Sequence, residues 1–256
     1  MLRFCSLGSG SSGNAAVVEG GSALHATRLL VDCGLGIRQL EARLQRAGLQ
    51  PDAIDAIFVT HEHSDHVGCA QQFSRRHRVP VWMSRGTHAA IGAIDFDGRL
   101  RLAQDGETID LGDLRVHPFT VPHDAREPLQ LRCTDGASSL GILTDLGHAT
   151  AHVLQNLASC QALLLEFNHD AAMLANGAYP PFLKQRVGGL HGHLSNAQAA
   201  DIARALNHPA LGQVVAAHLS RKNNRPELAR TTLADALGRL TSEVGVADPT
   251  FGTDWL

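Results

Sequence analysis

The sequence predicts a single α/β domain, and three observations carry that prediction. Short apolar runs alternate with segments whose apolar residues recur at helical spacing, from the first quarter of the chain to the last. The 256 residues are 44 % apolar, enough to bury one sizeable core. No internal repeat, linker or low-complexity tail divides them, so residues 1–256 read as one domain.

The elements follow in order. LLVDCG (29–34) and AIFVT (56–60) read as strands. Between them, Ile37, Leu40, Leu44 and Ala47 fall at helical spacing, with Gly48 as the C-cap. VPVWMS (79–84) reads as a strand and RGTHAAIG (85–92) as a short helix. DLRVHPFTVPH (113–123) alternates like a strand. SSLGILTD (138–145) and ALLLEFN (162–168) are strands on either side of the helical TAHVLQNL (150–157). LSNAQAADIARALNH (194–208) is a helix whose N-cap, Ser195, is followed three residues on by Gln198, a capping-box pattern. GQVVAAHLS (212–220) is a strand, and residues 225–240 form a helix with Pro226 in its first turn.

Composition excludes several classes. A formal net charge of −3 does not suit a protein whose only task is to coat nucleic acid, so any phosphate contact must be local. Five scattered cysteines, with no CxxC pair, read as reduced core thiols of a cytoplasmic protein. The N-terminal MLRFCSLGSGSSGN does not read as a signal peptide, and no apolar run is long enough to span a membrane.

Fifteen histidines accompany one tyrosine and two tryptophans. They are either a histidine-rich surface or metal ligands, and spacing decides between the two. Residues 61–66 read His-Glu-His-Ser-Asp-His directly after a strand. Alternate residues on extended backbone point the same way, so His61 and His63 can grip one cation. Asp65 and His66, at the following helix start, can grip a second. The pattern is not HExxH, because its fifth residue is Asp65. Nitrogen and carboxylate donors suit zinc or manganese. Two cations need more ligands, and His123, Asp145 and His218 stand at three further strand ends. Each alone could be an ordinary polar strand terminus. Together with 61–66 they make a ligand set in which Asp145, in TDLG, is placed to bridge.

HEHSDH is the HxHxDH signature of the metallo-β-lactamase-fold hydrolases, which this chain resembles, and His123, Asp145 and His218 follow in that family's order. SLGSGSSGN (6–14), FNHD (167–170), FLKQRV (182–187), GHLSN (192–196) and HLSRKNN (218–224) resemble the YycJ/WalJ branch, related to RNase Z and to phosphodiesterases. The resemblance implies a four-layer αβ/βα sandwich, two mixed β-sheets with helices outside. It implies His61, His63 and His123 on one divalent metal ion and Asp65, His66 and His218 on a second, with Asp145 bridging. It implies a DNA exonuclease, 5′ to 3′, in which metal-activated hydroxide attacks phosphorus.

Two divalent cations would make the pocket positive within a net-negative protein, so it would attract a phosphodiester. Asp65 could accept a proton from the attacking water, as the likeness to RNase Z implies. His193 is the candidate to protonate the leaving oxygen or clamp the scissile phosphate, and Glu166 looks like the carboxylate that pairs with it in RNase Z-like enzymes. Alternatively, Glu166 makes a structural bond and His193 merely adjoins a helix cap. Lys184, Arg186, Arg221 and Lys222 are expected on substrate phosphates, or else on solvated faces. Arg75, Arg76 and Arg78 read as a helix end. GSGSSGN could offer backbone N–H groups to an anion or simply connect two strands. His148, His152, His169 and His191 have no required place, and His25, His77, His88, His117 and His208 are left as surface or core. Two other functions stay open: a small-molecule hydrolase on the same fold (cyclic phosphodiester, thioester or lactone), and a non-catalytic regulatory subunit.

Overall fold

Strands that are apolar on both faces must be covered on both faces, and that requirement sets the layering. The structure is a computed structural model that describes residues 1–22 and 25–256. The first sheet runs β1 (Arg3–Gly8), β2 (Ala15–Gly21), β3 (Ala26–Val31), β4 (Ala56–Phe58), β5 (Val81–Ser84), β6 (Leu100–Ala103), in that order. Its first three strands are antiparallel, and β3 to β6 are parallel. The second sheet contains β7 (Ile109–Asp110), β8 (Arg115–Thr120), β9 (Leu129–Thr134), β10 (Ser139–Leu143), β11 (Ala162–Glu166), β12 (Gln213–Ala217) and β13 (Gly245–Val246), again side by side in chain order. Here β7 to β10 are antiparallel, and β10 to β13 are parallel.

Parallel neighbours need crossovers, and helices supply them. α1 (Ile37–Arg46), α2 (Ser64–Val67), α3 (Ala70–His77) and α4 (Arg85–Ala90) serve the first sheet. α5 (Ala151–Leu157), α6 (Ala171–Asn176), α7 (Pro181–Val187), α8 (Asn196–Ala205) and α9 (Pro226–Leu237) serve the second. The period-2 alternation of side chains then sorts the core. Val18, Leu29, Val31 and Phe58 face Leu131, Leu140, Ile142 and Val215 between the sheets. Val17, Leu30 and Ile57 face outward onto Leu40 and Leu44 of α1 and Phe73 of α3. Leu163, Leu165 and Val214 face the other way, onto Leu157, Ile202 and Leu233 of α5, α8 and α9. The result is the expected four-layer sandwich of two mixed sheets with helices outside.

Local signals held where the chemistry is local. Ser195 and Gln198 form the capping box, with Ser195 N donating to Gln198 Oε1 at 2.9 Å and Gln198 N to Ser195 Oγ at 3.3 Å. α1 is capped at Ala47, and Gly48 follows in the left-handed region at φ +79°. The Arg75–Arg78 run is the end of α3, and Arg75 pairs with Asp97 at 2.9 Å. All five cysteines are buried, free thiols, and burial pushes Cys5 up to about 12 and Cys69 to about 11. No helix among the described residues is long and apolar enough to cross a membrane.

The outer edge of β1 is covered by the C-terminal segment. Thr253 N donates to Ser6 O (2.9 Å), Phe4 N to Leu256 O (3.1 Å) and Leu256 N to Phe4 O (2.9 Å). On the neighbouring strands, Glu19 of β2 lies in register between Arg3 of β1 and Arg28 of β3 and accepts from both guanidinium Nε atoms, at 2.6 and 2.7 Å. Burial alone would raise the Glu19 carboxyl, but the two guanidinium groups outweigh it and hold it below the usual range. A carboxyl lowered in the folded state stabilises above its unfolded pKa of about 4.3, and the contribution fades as pH falls through the folded value. Glu19→Gln is therefore expected to cost about 1 kcal/mol at neutral pH, after solvent screening of the partly exposed arginines. Urea unfolding should show the difference between variant and parent shrinking below pH 4.

Candidate metal centre

The candidate donors all stand beyond strand ends at one edge of the sandwich. His61, His63, Asp65 and His66 follow β4, His123 follows β8, Asp145 follows β10 and His218 follows β12. Loops can hold them there only if the backbone is fixed, and several are. In TDLG, Thr144 N donates to Gln130 Oε1 (3.1 Å), Leu146 N to Glu166 Oε2 (2.9 Å) and Gly147 N to Pro122 O (2.7 Å). A Cβ on Gly147 would run into the Leu190 carbonyl, so the loop bearing His191 and His193 packs there only against glycine. His218 occupies the left-handed region at φ +55°, held by its N–H to Ser9 Oγ (2.8 Å) and by Asn168 Nδ2 donating to its carbonyl (3.0 Å).

The imidazoles share one pattern: one ring nitrogen meets a protein group, and the other turns to a common interior. His66 Nδ1 is 2.7 Å from Asp32 Oδ2, which as a carboxylate can only accept, so Nδ1 carries the hydrogen. His123 Nδ1 donates to Gly192 O at 3.0 Å, and His218 Nδ1 lies 3.3 Å from Glu166 Oε1. His61 Nδ1 meets Thr60 Oγ1 at 3.0 Å, and Thr60 in turn donates to Asp32. His63 Nε2 meets the Asp124 carbonyl at 3.2 Å. The inward nitrogens then gather. His61 Nε2 and His63 Nδ1 are 3.0 Å apart. His66 Nε2 is 3.1 Å from Asp145 Oδ2, and His123 Nε2 is 3.7 Å from Asp145 Oδ1. His218 Nε2 is 3.5 Å from Asp65 Oδ2.

Donor atoms of His61, His63 and His123 lie within 4.8 Å of one another, as do those of Asp65, His66 and His218, and of His61, His66 and Asp145. His123 Nε2, His218 Nε2 and both Asp145 oxygens are buried with no hydrogen-bond partner among the described residues. Buried polar atoms left without partners cost stability, and a pair of divalent cations would satisfy all four. The residues therefore fit two metal ions, with Asp145 reaching toward both groups. Asp145, Glu166, His193 and His218 also cluster. Glu166 is already saturated, however: its Oε2 accepts from Leu146 N and Leu194 N, and its Oε1 faces His193 Nδ1 at 2.7 Å. That makes Glu166 an orienting group rather than a ligand.

The electrostatics agree. Burial alone would lower His66, but Asp145 and Asp32 raise it well above its usual value. Burial would likewise lower His218, yet Asp145, Asp65 and Glu166 lift it to about 10. Asp65 goes the other way: burial raises it, and His218 and His66 bring it down to about 2. The carboxylates at this edge demand positive charge.

The cleft over the cluster has a volume of about 350 Å³ and is lined by His63, Asp65, Asp145, His193 and His218 on one side, and by Tyr179, Leu183 and Arg186 on the other. Of the four expected phosphate contacts, Arg186 lines it, with Nε 2.5 Å from Asp124 Oδ2. The Lys222 ammonium stands 5.6 Å from the centre of the Tyr179 ring. Lys184 turns back to donate to Ala175 O at 2.7 Å, and Arg221 is not among the lining residues. The anion-nest alternative for GSGSSGN is corrected at three amides. Gly10 N donates to Asn14 Oδ1, Gly13 N to Gly10 O and Asn14 N to Asp65 O, so all three are engaged within the fold. Asn14 Nδ2 also reaches Asp65 O (3.2 Å) and His66 Nε2 (3.1 Å), which makes the turn a clamp on the histidine loop.

Sequence reasoning missed Asp32, Thr60 and Asn14. The first two lie inside strand-like runs, and a buried aspartate in LLVDCG was the available signal. It also gave the later asparagines no role. Asn196 and Asn224 exchange side-chain amide bonds at 3.0 and 2.8 Å, and Asn224 also holds Phe167 O at 2.8 Å. FNHD, GHLSN and HLSRKNN thus lock to one another behind the site. His169 is buried beside them with its Nδ1 unpartnered among the described residues.

Residues 27–219 match the family described as the beta-lactamase superfamily domain. The chain is 32 % identical to the exodeoxyribonuclease WalJ of Streptococcus pneumoniae over 251 residues, covering 96 % of this chain and 91 % of that protein. It is 33 % identical to the exodeoxyribonuclease YycJ of Bacillus anthracis over 257 residues, covering 99 % and 96 %. Among solved structures, the metallo-beta-lactamase fold protein YhfI from Bacillus subtilis superposes with a TM-score of 0.74 at 17 % identity, over 98 % of each chain.

Asp32 orients the candidate donor His66 and belongs to none of the donor clusters. Asp32→Ala is expected to weaken uptake of zinc or manganese by about 10–100-fold while leaving the candidate donors in place. Calorimetric titration of the metal-stripped protein measures this, and an unchanged affinity would remove Asp32 from the support of the site.

Proposed function

The chain belongs to the beta-lactamase superfamily, and on that premise we propose that it is a two-metal phosphodiesterase that acts as a DNA exonuclease, 5′ to 3′ by its likeness to WalJ and YycJ. Residues 1–256 would work as one hydrolase domain in the cytoplasm, a reading supported by the core shared between the two sheets and by the five free thiols. Two zinc or manganese ions, held by His61, His63 and His123 and by Asp65, His66 and His218 with Asp145 between, would supply Lewis acidity, an acidified water and positive charge for the phosphoryl oxygens.

The observation that carries the reading is the Glu166–His193 pair. Breaking a phosphodiester expels an alkoxide, which needs a proton. His193 lines the cleft, its side chain 21 % exposed, with Nδ1 2.7 Å from Glu166 Oε1 and 3.6 Å from Asp145 Oδ1. Burial alone would lower its pKa, but Glu166 and then Asp145 outweigh burial and raise it, which favours the protonated ring this role needs. Glu166 fixes the ring so that Nε2 is left for the leaving oxygen. Asp65, whose carboxyl His218 and His66 hold below the usual range, would orient the attacking water by accepting its hydrogen. Arg186 and Lys222 supply charge for the flanking phosphates, and a phosphate entering the cleft would displace Asp124 from Arg186.

The small cleft keeps one second reading in play, a phosphodiesterase for small substrates. Metal-reconstituted protein with end-labelled, 5′-phosphorylated DNA and manganese separates the two. Stepwise shortening that Asp145→Ala abolishes is expected, and the labelled end gives the direction. Intact DNA beside hydrolysis of a cyclic dinucleotide would favour the second reading.

His193→Ala is expected to lower turnover on DNA by about 10²–10⁴-fold with metal content unchanged. Full turnover would withdraw the proton-donor role, and lost metal would make His193 a ligand instead.

A further inference from the structure

The helix α7, part of the cleft lining, is at least partly exposed along its whole length. None of the seven described residues of α7 is buried. Leu183, Arg186 and Val187, one face of that helix, line the cleft. Phe182, one turn before Arg186, is 72 % exposed. Just ahead of the helix, Tyr179, the chain's single tyrosine, also lines the cleft, with Lys222 over its ring. Large aromatic side chains left at the rim of a charged cleft need a partner.

We propose that Tyr179 and Phe182 form a base-stacking platform for the terminal nucleotides of a single-stranded DNA end. The proposal rests on the nuclease reading and adds to it what the enzyme grips besides phosphate. Three features select this occupant. Arg186 and Lys222 flank the aromatics, so the partner carries negative charge as well as flat apolar faces. A volume of about 350 Å³ is at the low end of small-ligand sites, roughly 300–1,000 Å³, and takes about one nucleotide rather than a duplex. Every base has a π face, so stacking holds a strand end whatever its sequence, as stepwise digestion of any sequence requires. The Lys222 ammonium stands 5.6 Å from the centre of the Tyr179 ring, where it would neutralise the phosphate of a base stacked on that ring. Phe182, three residues on, receives the next base outward.

The test pairs protein variants with a DNA strand whose first two nucleotides lack bases. On intact 5′-phosphorylated single-stranded DNA, Tyr179→Ala is expected to raise KM on the order of 10–100-fold, more than it lowers kcat, and Phe182→Ala to do so less. Tyr179→Phe, which keeps the ring, should recover most of that loss. The abasic end should cost the wild-type enzyme the same factor and cost Tyr179→Ala almost nothing further. Equal losses for both proteins on the abasic strand, or an unaltered KM in Tyr179→Ala, would overturn the platform. If wild-type protein leaves both strands intact while holding metal, the nuclease reading itself falls, and the platform with it.

Discussion

One constraint governs this molecule: imidazoles and carboxylates are gathered, largely buried, at a single edge, where they cannot satisfy one another. Among the described residues, His123, His218 and Asp145 hold polar atoms there without partners, and the neighbouring carboxylates pull His66 and His218 toward protonation. A cation is the group that resolves both problems at once. The surroundings are organised to keep the donors aimed inward. Asp32, Thr60, Glu166 and the Gly192 carbonyl each engage the outer nitrogen of a ring. Two of the participants, Asp32 and His218, sit in the left-handed region at φ +63° and +55°, which ordinary residues avoid. Strain of that kind persists where the surrounding structure over-determines it, as at functional sites.

The loops that carry the candidate donors are held by amide side chains. Asn14 fixes the turn between β1 and β2 to the backbone of Asp65. Asn168 holds the His218 carbonyl, and Asn196 and Asn224 bind each other reciprocally. Such a network is favourable in a dry interior when its groups are matched, and it specifies one arrangement of several loops. Segments rich in Asn, Ser and His thus divide their labour: His193 and His218 line the cleft, and the asparagines tie the backbone behind it.

How much of this was legible in the sequence follows from the same physics. The second half of β3 (residues 29–31) and most of β10, β11 and β12 are apolar on both faces and read as strands without help. β9 did not, because Gln130 and Arg132 interrupt it, and β7 and β13 are two residues long. β1 and β2 were hidden by glycine and serine. At the site, HEHSDH announced itself by density. His123, Asp145 and His218 followed from their positions at strand ends. Asp32 did not, since an aspartate inside an apolar run gives no hint of the partner that folding brings to it. Of the basic residues expected at the cleft, the sequence could not tell which reach it. Lys184 and Arg186 lie two residues apart on one helix, so their side chains diverge, one to Ala175 and the other over the cleft.

The candidate ligands come from both sheets. His61 and His63 follow β4 while His123 follows β8, and Asp65 and His66 meet His218 from beyond β12. The core between the sheets is apolar and gives no direction to their contact, so ions gripped from both sides would be its directional fasteners. Metal supply would then govern how long the protein lasts as well as whether it works. Starved of cations, this edge would keep buried polar atoms without partners, open ahead of the rest and offer its loops to proteases. A metal-poor cell would clear the protein by degradation instead of storing it in an idle form.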